Sequence, residues 1–126
     1  MAKTKKILII EDDQTILSMY DSKFQGEGFE VFKAEDGNEG FKIAQKEQPD
    51  IIMLDIILPQ IDGFTVLSEL KKDKKTKDIP VVMLTNLGTI EDQKKGKTMG
   101  AEDYLVKASL TPAEISEKIK KILKIK

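Results

Sequence analysis

Hydrophobic residues along this chain occur as short, nearly continuous runs that alternate with longer segments of mixed character. The most apolar run covers residues 51–58, contains a single carboxylate at Asp55, and is bounded by Pro49 and Pro59. A run of this length, rich in isoleucine and flanked by prolines, favours a strand over a helix. Because both faces of such a strand are apolar, it is predicted to be buried on both sides, as in parallel sheets covered by helices.

Four further strands and five helices follow from the same pattern. The strands are predicted at residues 6–10, 30–34, 80–84 and 104–106, with the mixed segment 30–34 at a sheet edge. The first two helices are predicted at 15–25 and, after an N-cap signal at Asp36, at 39–46. The third follows the loop 59–63 and has Phe64, Val66, Leu67 and Leu70 on one face. The last two are predicted at 90–99 and from the cap at Thr111 to the end of the chain. Because residues 90–99 have few apolar side chains and include Gly96, that helix is predicted to be the least stable.

Strands and helices therefore alternate five times, which predicts an α/β fold. We expect a doubly wound, five-stranded parallel sheet with helices on both faces, in the flavodoxin-like strand order 2-1-3-4-5. No internal repeat, low-complexity segment or interdomain linker is visible. Residues 1–126 are accordingly interpreted as a single domain without an output domain.

The amino-acid composition limits the partners and the kinds of catalysis that can be expected of this chain. The net charge is −1, and no segment approaches the ~20 apolar residues of a membrane-spanning helix, so neither nucleic acid nor a membrane is an expected partner. The chain contains no cysteine, no histidine and no arginine, which excludes thiol and imidazole catalysis and suits a cytoplasmic location. Carboxylate, hydroxyl and lysine groups remain, and oxygen ligands favour a hard divalent cation.

Reactive groups follow four of the five predicted strands, namely Glu11 with Asp12, Asp55, Thr85 and Lys107. Since parallel strands end at one edge of a sheet, these groups are expected to converge there. Three converging carboxylates repel one another unless a cation such as Mg²⁺ compensates them. With the remaining residue types, an aspartate that accepts a phosphoryl group is the simplest chemistry. The alternative is structural: the first two acids begin a helix, and Asp55 caps a loop.

Four segments of the chain resemble the receiver domain of two-component response regulators. They are Ile-Ile-Glu-Asp-Asp at 9–13, Met-Leu-Asp-Ile-Ile-Leu-Pro-Gln-Ile-Asp-Gly at 53–63, Val-Val-Met-Leu-Thr at 81–85, and Gly-Ala-Glu-Asp-Tyr-Leu-Val-Lys at 100–107. The resemblance extends over essentially the whole chain, with the segments in the order and spacing of the family. It implies a switch that takes a phosphoryl group from a histidine kinase or histidine phosphotransfer protein in a Mg²⁺-dependent reaction. The surface formed by helix 4, strand 5 and helix 5 would then change for a downstream protein.

The same resemblance implies a role for individual residues at the metal site. Asp55 would be the phosphoacceptor and a ligand of Mg²⁺, and Asp12 a second direct ligand. Glu11 would act mostly through a metal-bound water, and the backbone carbonyl of Ile57 would be the third protein ligand. Asp13 is interpreted as an N-cap or solvent-facing acid.

Three more residues are assigned through the resemblance. Thr85 and Lys107 would hold the phosphoryl oxygens, and Tyr104 would turn inward when Thr85 is drawn to the phosphate. The family usually has a cis proline where this chain has Ala108, so the Lys107–Ala108 peptide could be cis or trans. Both residues placed to line the approach of water, Ile57 and Leu87, are aliphatic, which predicts a long-lived aspartyl phosphate.

Alternatives to the stand-alone switch are an interaction module of the same fold that is never phosphorylated, and a receiver taken from a longer regulator. The protein would be no conventional enzyme, since its reactions are its own phosphorylation and slow dephosphorylation. We expect a monomer or weak dimer.

Overall fold

Five parallel strands form one sheet in this computed structural model, which describes residues 4–86 and 89–124. The strands are β1 (Lys6–Ile10), β2 (Glu30–Ala34), β3 (Ile51–Leu54), β4 (Val81–Thr85) and β5 (Asp103–Val106). Their order across the sheet is β2-β1-β3-β4-β5, and every neighbouring pair is parallel. The predicted strand order and the edge position of β2 are confirmed.

Helices cover both faces of the sheet. They are α1 (Gln14–Gly26), α2 (Gly37–Glu47), α3 (Gly63–Lys72), α4 (Ile90–Thr98) and α5 (Pro112–Leu123), with a short 3-10 turn at Lys107–Ser109. Each α-helix begins at a residue whose side-chain oxygen accepts a backbone N–H of the first turn: Asp13, Asp36, Asp62, Thr89 and Thr111. Such caps satisfy backbone donors that have no partner within the helix, and thereby fix where each helix starts. No helix in the described part of the chain has both the length and the apolarity to cross a membrane.

Successive side chains of the central strands point to opposite faces, so the core has two halves. On one face, Leu8 and Ile10 of β1 join a cluster with the buried sides of α2 and α3. On the other, Ile7 and Ile9 join a cluster with α1 and α5. Both faces of β1, β3 and β4 are buried, as expected for parallel strands between two helix layers.

The predicted strand at residues 51–58 is too long, since β3 ends at Leu54. Its last pairing is between Leu54 and Ile10, and the Asp55 N–H then donates to the Ile10 carbonyl at 3.1 Å. Beyond that point the chain turns, and the side chain of Ile57 is 59% exposed. The apolar run thus continues past the strand into a loop, which periodicity cannot distinguish from a longer strand.

Helix α4 is the least anchored helix, as its composition predicts. Gly96 is the one residue of α4 that is buried, and Ile90 at its first position is 70% exposed. By contrast, α3 buries five of its residues. A helix with so little buried apolar surface contributes little to the core and opens at low free-energy cost.

Candidate functional site

The carboxyl ends of β1, β3, β4 and β5 bring the predicted site residues into one open groove. Glu11 and Asp12 follow β1, Asp55 follows β3, Thr85 ends β4, and Lys107 follows β5. The groove is lined by these five residues together with Asp13, Ile16, Ile57 and Asn86. The convergence that the sequence predicts at this edge of the sheet is therefore present in the structure.

Lys107 links the two buried acids of the groove. Its ammonium donates to Oδ2 of Asp55 at 2.9 Å and to Oε1 of Glu11. All three side chains are at most 10% exposed. In such surroundings a carboxylate without a cationic partner would be costly, so the lysine stabilises the charged form of both acids.

Burial and this ion pair act in opposite directions on the pKa values. Burial raises the pKa of Glu11 above its ordinary value, although hydrogen bonds from Lys107 and from the Asp13 N–H oppose the shift. Burial alone would lower the pKa of Lys107, but its hydrogen bonds to Asp55 and Glu11 outweigh that effect and raise it. Lys107 is therefore a permanent positive charge at the groove over the whole physiological pH range.

Backbone N–H groups orient both buried acids. The Asp13 N–H donates to Oε2 of Glu11 at 3.1 Å, and the Ile57 N–H donates to Oδ1 of Asp55 at 3.3 Å. Each carboxylate thus has one oxygen on Lys107 and the other on the backbone. Asp13 itself caps α1, accepting from the N–H groups of Thr15 and Ile16, which confirms its N-cap interpretation.

The acids at the groove fit a hard divalent cation. One carboxylate oxygen from each of Glu11, Asp12 and Asp55 lies within 4.8 Å of the others, with Asp12 exposed and the other two buried. Oxygen donors at this density match the preference of Mg²⁺ for carboxylates, carbonyls and water. Ile57 also lines the groove, and it lies two residues after Asp55 in the loop that follows β3.

Thr85 and Tyr104 are both buried beside the groove. Thr85 is 1% exposed and Tyr104 is 7% exposed. The Tyr104 ring packs in the cluster that contains Met83, and lies next to Gly96 of α4. Burial raises the pKa of Tyr104, and the negative charges of Asp92 and Asp55 raise it further. The ring is therefore directed inward in this structure, and the phenol is neutral.

The loop after Lys107 has an ordinary backbone. No peptide bond within the described residues is cis, so the Lys107–Ala108 peptide, for which the sequence left both forms open, is trans. Leu87, the second aliphatic residue predicted to line the approach of water, lies outside the described residues.

Two residues at the site were not identified from the sequence. Gly63, at the start of α3, packs so closely that a Cβ there would lie 2.1 Å from the Asp55 carbonyl oxygen. Tyr20 of α1 is 3% exposed and borders a narrow space together with Glu11 and Asp55. From the sequence, Gly63 is a loop residue and Tyr20 is part of an apolar helix stripe. Neither pattern predicts that the residue lies close to Asp55.

Comparison with known proteins identifies what the chain is similar to. The family model for the response regulator receiver domain matches residues 7–120. The DNA-binding dual master transcriptional regulator RpaA of Synechocystis is 44% identical over 117 residues, which cover 93% of this chain and 47% of that protein. The chain spans about half the length of the curated relatives it matches.

Solved structures agree with this similarity. A putative response regulator from Chloroflexus aurantiacus superimposes with a TM-score of 0.89 at 36% identity, covering 97% of this chain and 99% of that one. A CheY-like response regulator receiver domain protein from Methanospirillum hungatei has the same TM-score at 30% identity, covering 97% and 95% of the two chains.

Proposed function

Because this chain belongs to the response regulator receiver domain family, we propose that it is a phosphorylation switch with Asp55 as the phosphoacceptor. The donor is the phosphohistidine of a histidine kinase or histidine phosphotransfer protein. These 126 residues contain no histidine, so the phosphohistidine lies outside them. The observation that supports the proposal best is the groove itself, in which a buried aspartate, two further acids, a hydroxyl and an ammonium meet at one sheet edge.

The reaction uses a carboxylate oxygen of Asp55 as the nucleophile. That oxygen forms a bond to phosphorus while the bond from phosphorus to the donor nitrogen breaks, and the donor ring, protonated on its other nitrogen, takes the electron pair and leaves as neutral imidazole. Asp55 becomes an acyl phosphate. The backbone N–H of Ile57 and the ammonium of Lys107 already orient its carboxylate at 3.3 Å and 2.9 Å, which limits the reorganisation needed for in-line attack.

A magnesium ion would be held by Asp12, Asp55 and the Ile57 carbonyl directly, and by Glu11 mostly through water. Bound there, Mg²⁺ neutralises charge on the phosphoryl oxygens and on the acids. Asp12 is exposed whereas Glu11 and Asp55 are buried, so Asp12 would be the ligand most accessible from solvent.

Thr85 and Lys107 would hold the phosphoryl oxygens of the product. Lys107 supplies a positive charge, and Thr85 supplies a hydroxyl donor from the end of β4. The movement of Thr85 toward the phosphoryl group would fix Tyr104 in its inward position. Because α4 buries so little of its surface, a bias of a few kcal/mol is enough to shift it.

The responding surface is α4 with β5 and α5, and it would recognise a downstream protein or an attached domain. The Synechocystis relative is described as DNA-binding, but it is about twice as long as the matched segment. The net charge of −1 gives this chain no general attraction for nucleic acid.

Incubation with acetyl phosphate and Mg²⁺, followed by intact mass measurement, tests phosphorylation. We expect the mass of one added phosphoryl group on the wild type and none on Asp55→Asn. Asp12→Asn should bind Mg²⁺ more weakly and show no phosphorylation at the Mg²⁺ concentration that saturates the wild type. If the wild type stays unmodified while binding Mg²⁺, the chain is an interaction module instead.

Amide hydrogen exchange with and without beryllofluoride, a phosphoryl analogue, tests the surface. Exchange should slow in α4, β5 and α5. The helix α2 packs on β1 and β2, at the end of the sheet away from β5. Protection confined to α2 would show that the responding surface has been misplaced.

A further inference from the structure

A cation–π contact joins α4 to α3. The ammonium of Lys95 lies over the ring of Phe64, 4.4 Å from the ring centroid. Phe64 is 8% exposed and packs in the core cluster that contains Tyr104, whereas Lys95 is an exposed residue of α4. Because the attraction of a cation to the face of an aromatic ring extends to about 6 Å from the centroid, this contact lies well inside the effective range.

The contact matters for α4 because the helix buries so little of its own surface. Gly96 is its one buried residue, and a Cβ there would lie 3.4 Å from the Tyr104 ring and 3.6 Å from the Met83 side chain. The Lys95 ammonium forms no ion pair with the described residues, and the Phe64 ring is its partner among them. Two neighbouring residues of α4 therefore hold the helix, Gly96 against the sheet and Lys95 against α3.

The position of Phe64 depends on the β3–α3 loop, which begins at Asp55. Phe64 follows Gly63, whose N–H donates to the Ile56 carbonyl at 2.7 Å. A Cβ at Gly63 would lie 2.1 Å from the Asp55 carbonyl oxygen, so the start of α3 is in close contact with the backbone of that residue. Close-packed atoms transmit a displacement, and a movement of the Asp55 backbone therefore reaches the Phe64 ring.

We propose that Lys95 is a positioning residue of the switch, which holds α4 on Phe64 and thereby links this helix to the β3–α3 loop. The inference rests on the proposed function, since it supplies a route from Asp55 to the responding surface. This route is separate from the one through Thr85 and Tyr104, which belong to β4 and β5. When Mg²⁺ and a phosphoryl group fix the loop, the Phe64 ring is held more firmly beneath the ammonium, and α4 becomes more ordered.

The first measurement uses metal-free protein and needs no phosphorylation. Amide hydrogen exchange is followed residue by residue by NMR in Lys95→Met, which keeps the apolar stem and removes the charge. The matched control is Lys97→Met. Lys97 is also exposed in the last turn of α4, has no ring or ion-pair partner among the described residues, and shares any interaction with the helix dipole.

Exchange in α4 should be about fourfold faster in Lys95→Met than in Lys97→Met, equivalent to about 0.8 kcal/mol. Because coupling between two sites is reciprocal, exchange of the Gly63 N–H should also be faster in Lys95→Met. Lys95→Arg, which keeps a cation over the ring, should behave as the wild type. Equal exchange in the two methionine variants, at α4 or at Gly63, would overturn the proposal whether or not Asp55 is the phosphoacceptor.

A double-mutant cycle tests whether the ring is the partner. Phe64→Leu removes the ring and keeps an apolar side chain. In that background Lys95→Met and Lys97→Met should have the same exchange rates in α4. A fourfold difference that persisted without the ring would show that Lys95 acts elsewhere, which refutes the proposal.

Beryllofluoride with Mg²⁺ tests the link to the switch. Under the proposed function it slows exchange in α4, and this slowing should be about twofold smaller in Lys95→Met than in the wild type and complete in Lys95→Arg. Equal slowing in Lys95→Met and the wild type would overturn the proposal, because the contact would then hold α4 without linking it to Asp55. If beryllofluoride slowed exchange in none of the proteins, the proposed function would fail, and the link between α4 and the β3–α3 loop would stand on the metal-free results.

Discussion

Replacement of Gly63 by alanine should damage both stability and phosphorylation, because the added methyl group has no room. The new Cβ would lie 2.1 Å from the Asp55 carbonyl oxygen and 2.7 Å from the Ile56 Cα. Ordinary contact begins at 3.4 Å, so the first pair must separate by at least 1.3 Å, the difference between the two distances. Both obstructing atoms belong to the backbone, and no side-chain rotation can relieve the overlap.

The cost can be estimated from the groups that must move. Overpacking in a close-packed region costs about 1–3 kcal/mol. The hydrogen bond from the Gly63 N–H to the Ile56 carbonyl, 2.7 Å long, is lost or stretched, which adds about 1 kcal/mol. Together these two costs amount to about 2–4 kcal/mol of unfolding free energy. For a chain of this size, that loss corresponds to a fall in melting temperature of roughly 8–16 °C. Displacement of Asp55 by about 1 Å would also slow phosphorylation by up to roughly 100-fold.

Thermal unfolding followed by circular dichroism measures the first effect, and intact mass after incubation with acetyl phosphate measures the second, well below the melting temperature of the variant. Gly26→Ala is the matched control, since nothing lies within 4 Å of a Cβ at Gly26 and alanine is the better helix former. It should be neutral or stabilising. If Gly63→Ala melted within about 2 °C of the wild type and were phosphorylated normally, the close approach of α3 to the Asp55 backbone would be wrong.

Three further outcomes are expected. Gly96→Ala should stabilise α4 by about 0.5–1 kcal/mol, because its Cβ would meet neighbours only at 3.4 Å or more; amide exchange in α4 should slow, and faster exchange would contradict the packing. Hydrogen bonds from Lys120 and Ser116 lower the pKa of Glu27. The loss of unfolding free energy in Glu27→Gln should therefore be complete above the ordinary glutamate pKa and vanish as the pH falls through the lowered value. A loss that stayed the same from neutral pH down to the acid unfolding of the protein would refute this assignment. The aspartyl phosphate of an Ile57→Asn, Leu87→Glu double variant should decay roughly tenfold faster than that of the wild type in excess Mg²⁺, a change of about 1.4 kcal/mol in barrier; an equal or longer lifetime would mean that water access there does not limit hydrolysis.

The sequence predicts the positions of strands and helices from local patterns, and the strand order from their regular alternation, which is typical of doubly wound sheets. The bounds of β1 and β2 are those predicted, since charged residues end each apolar run. Thr111 and Glu114 form the predicted capping box, because that motif satisfies backbone donors within a single helical turn. Asp55 and Lys107 meet because parallel strands share one carboxyl edge.

What the sequence does not predict depends on distances between segments that are far apart in the chain. The end of β3 is set by the length of its partner β1, whereas the apolar run continues to Leu58. The narrow space around Gly63 arises from the approach of α3 to the Asp55 backbone, and a single sequence carries no signal of it. From the sequence, Tyr20 is one member of an apolar helix stripe, and its position beside Glu11 and Asp55 depends on how α1 packs on the sheet.

The contact between α1 and α5 has a consequence for how the protein is made. Glu27, at the end of α1, accepts hydrogen bonds at 3.0 Å from Ser116 and from Lys120 of α5, 89 and 93 residues later. The two helices together cover one face of the sheet, so a nascent chain carries Ile7 and Ile9 half-covered until the last helix has left the ribosome. The helices α2 and α3, which cover much of the opposite face, are complete by Lys72, and Ala101 and Tyr104 join that face later but still before α5. The half of the core under α1 and α5 is therefore the later of the two to close as the chain is synthesised.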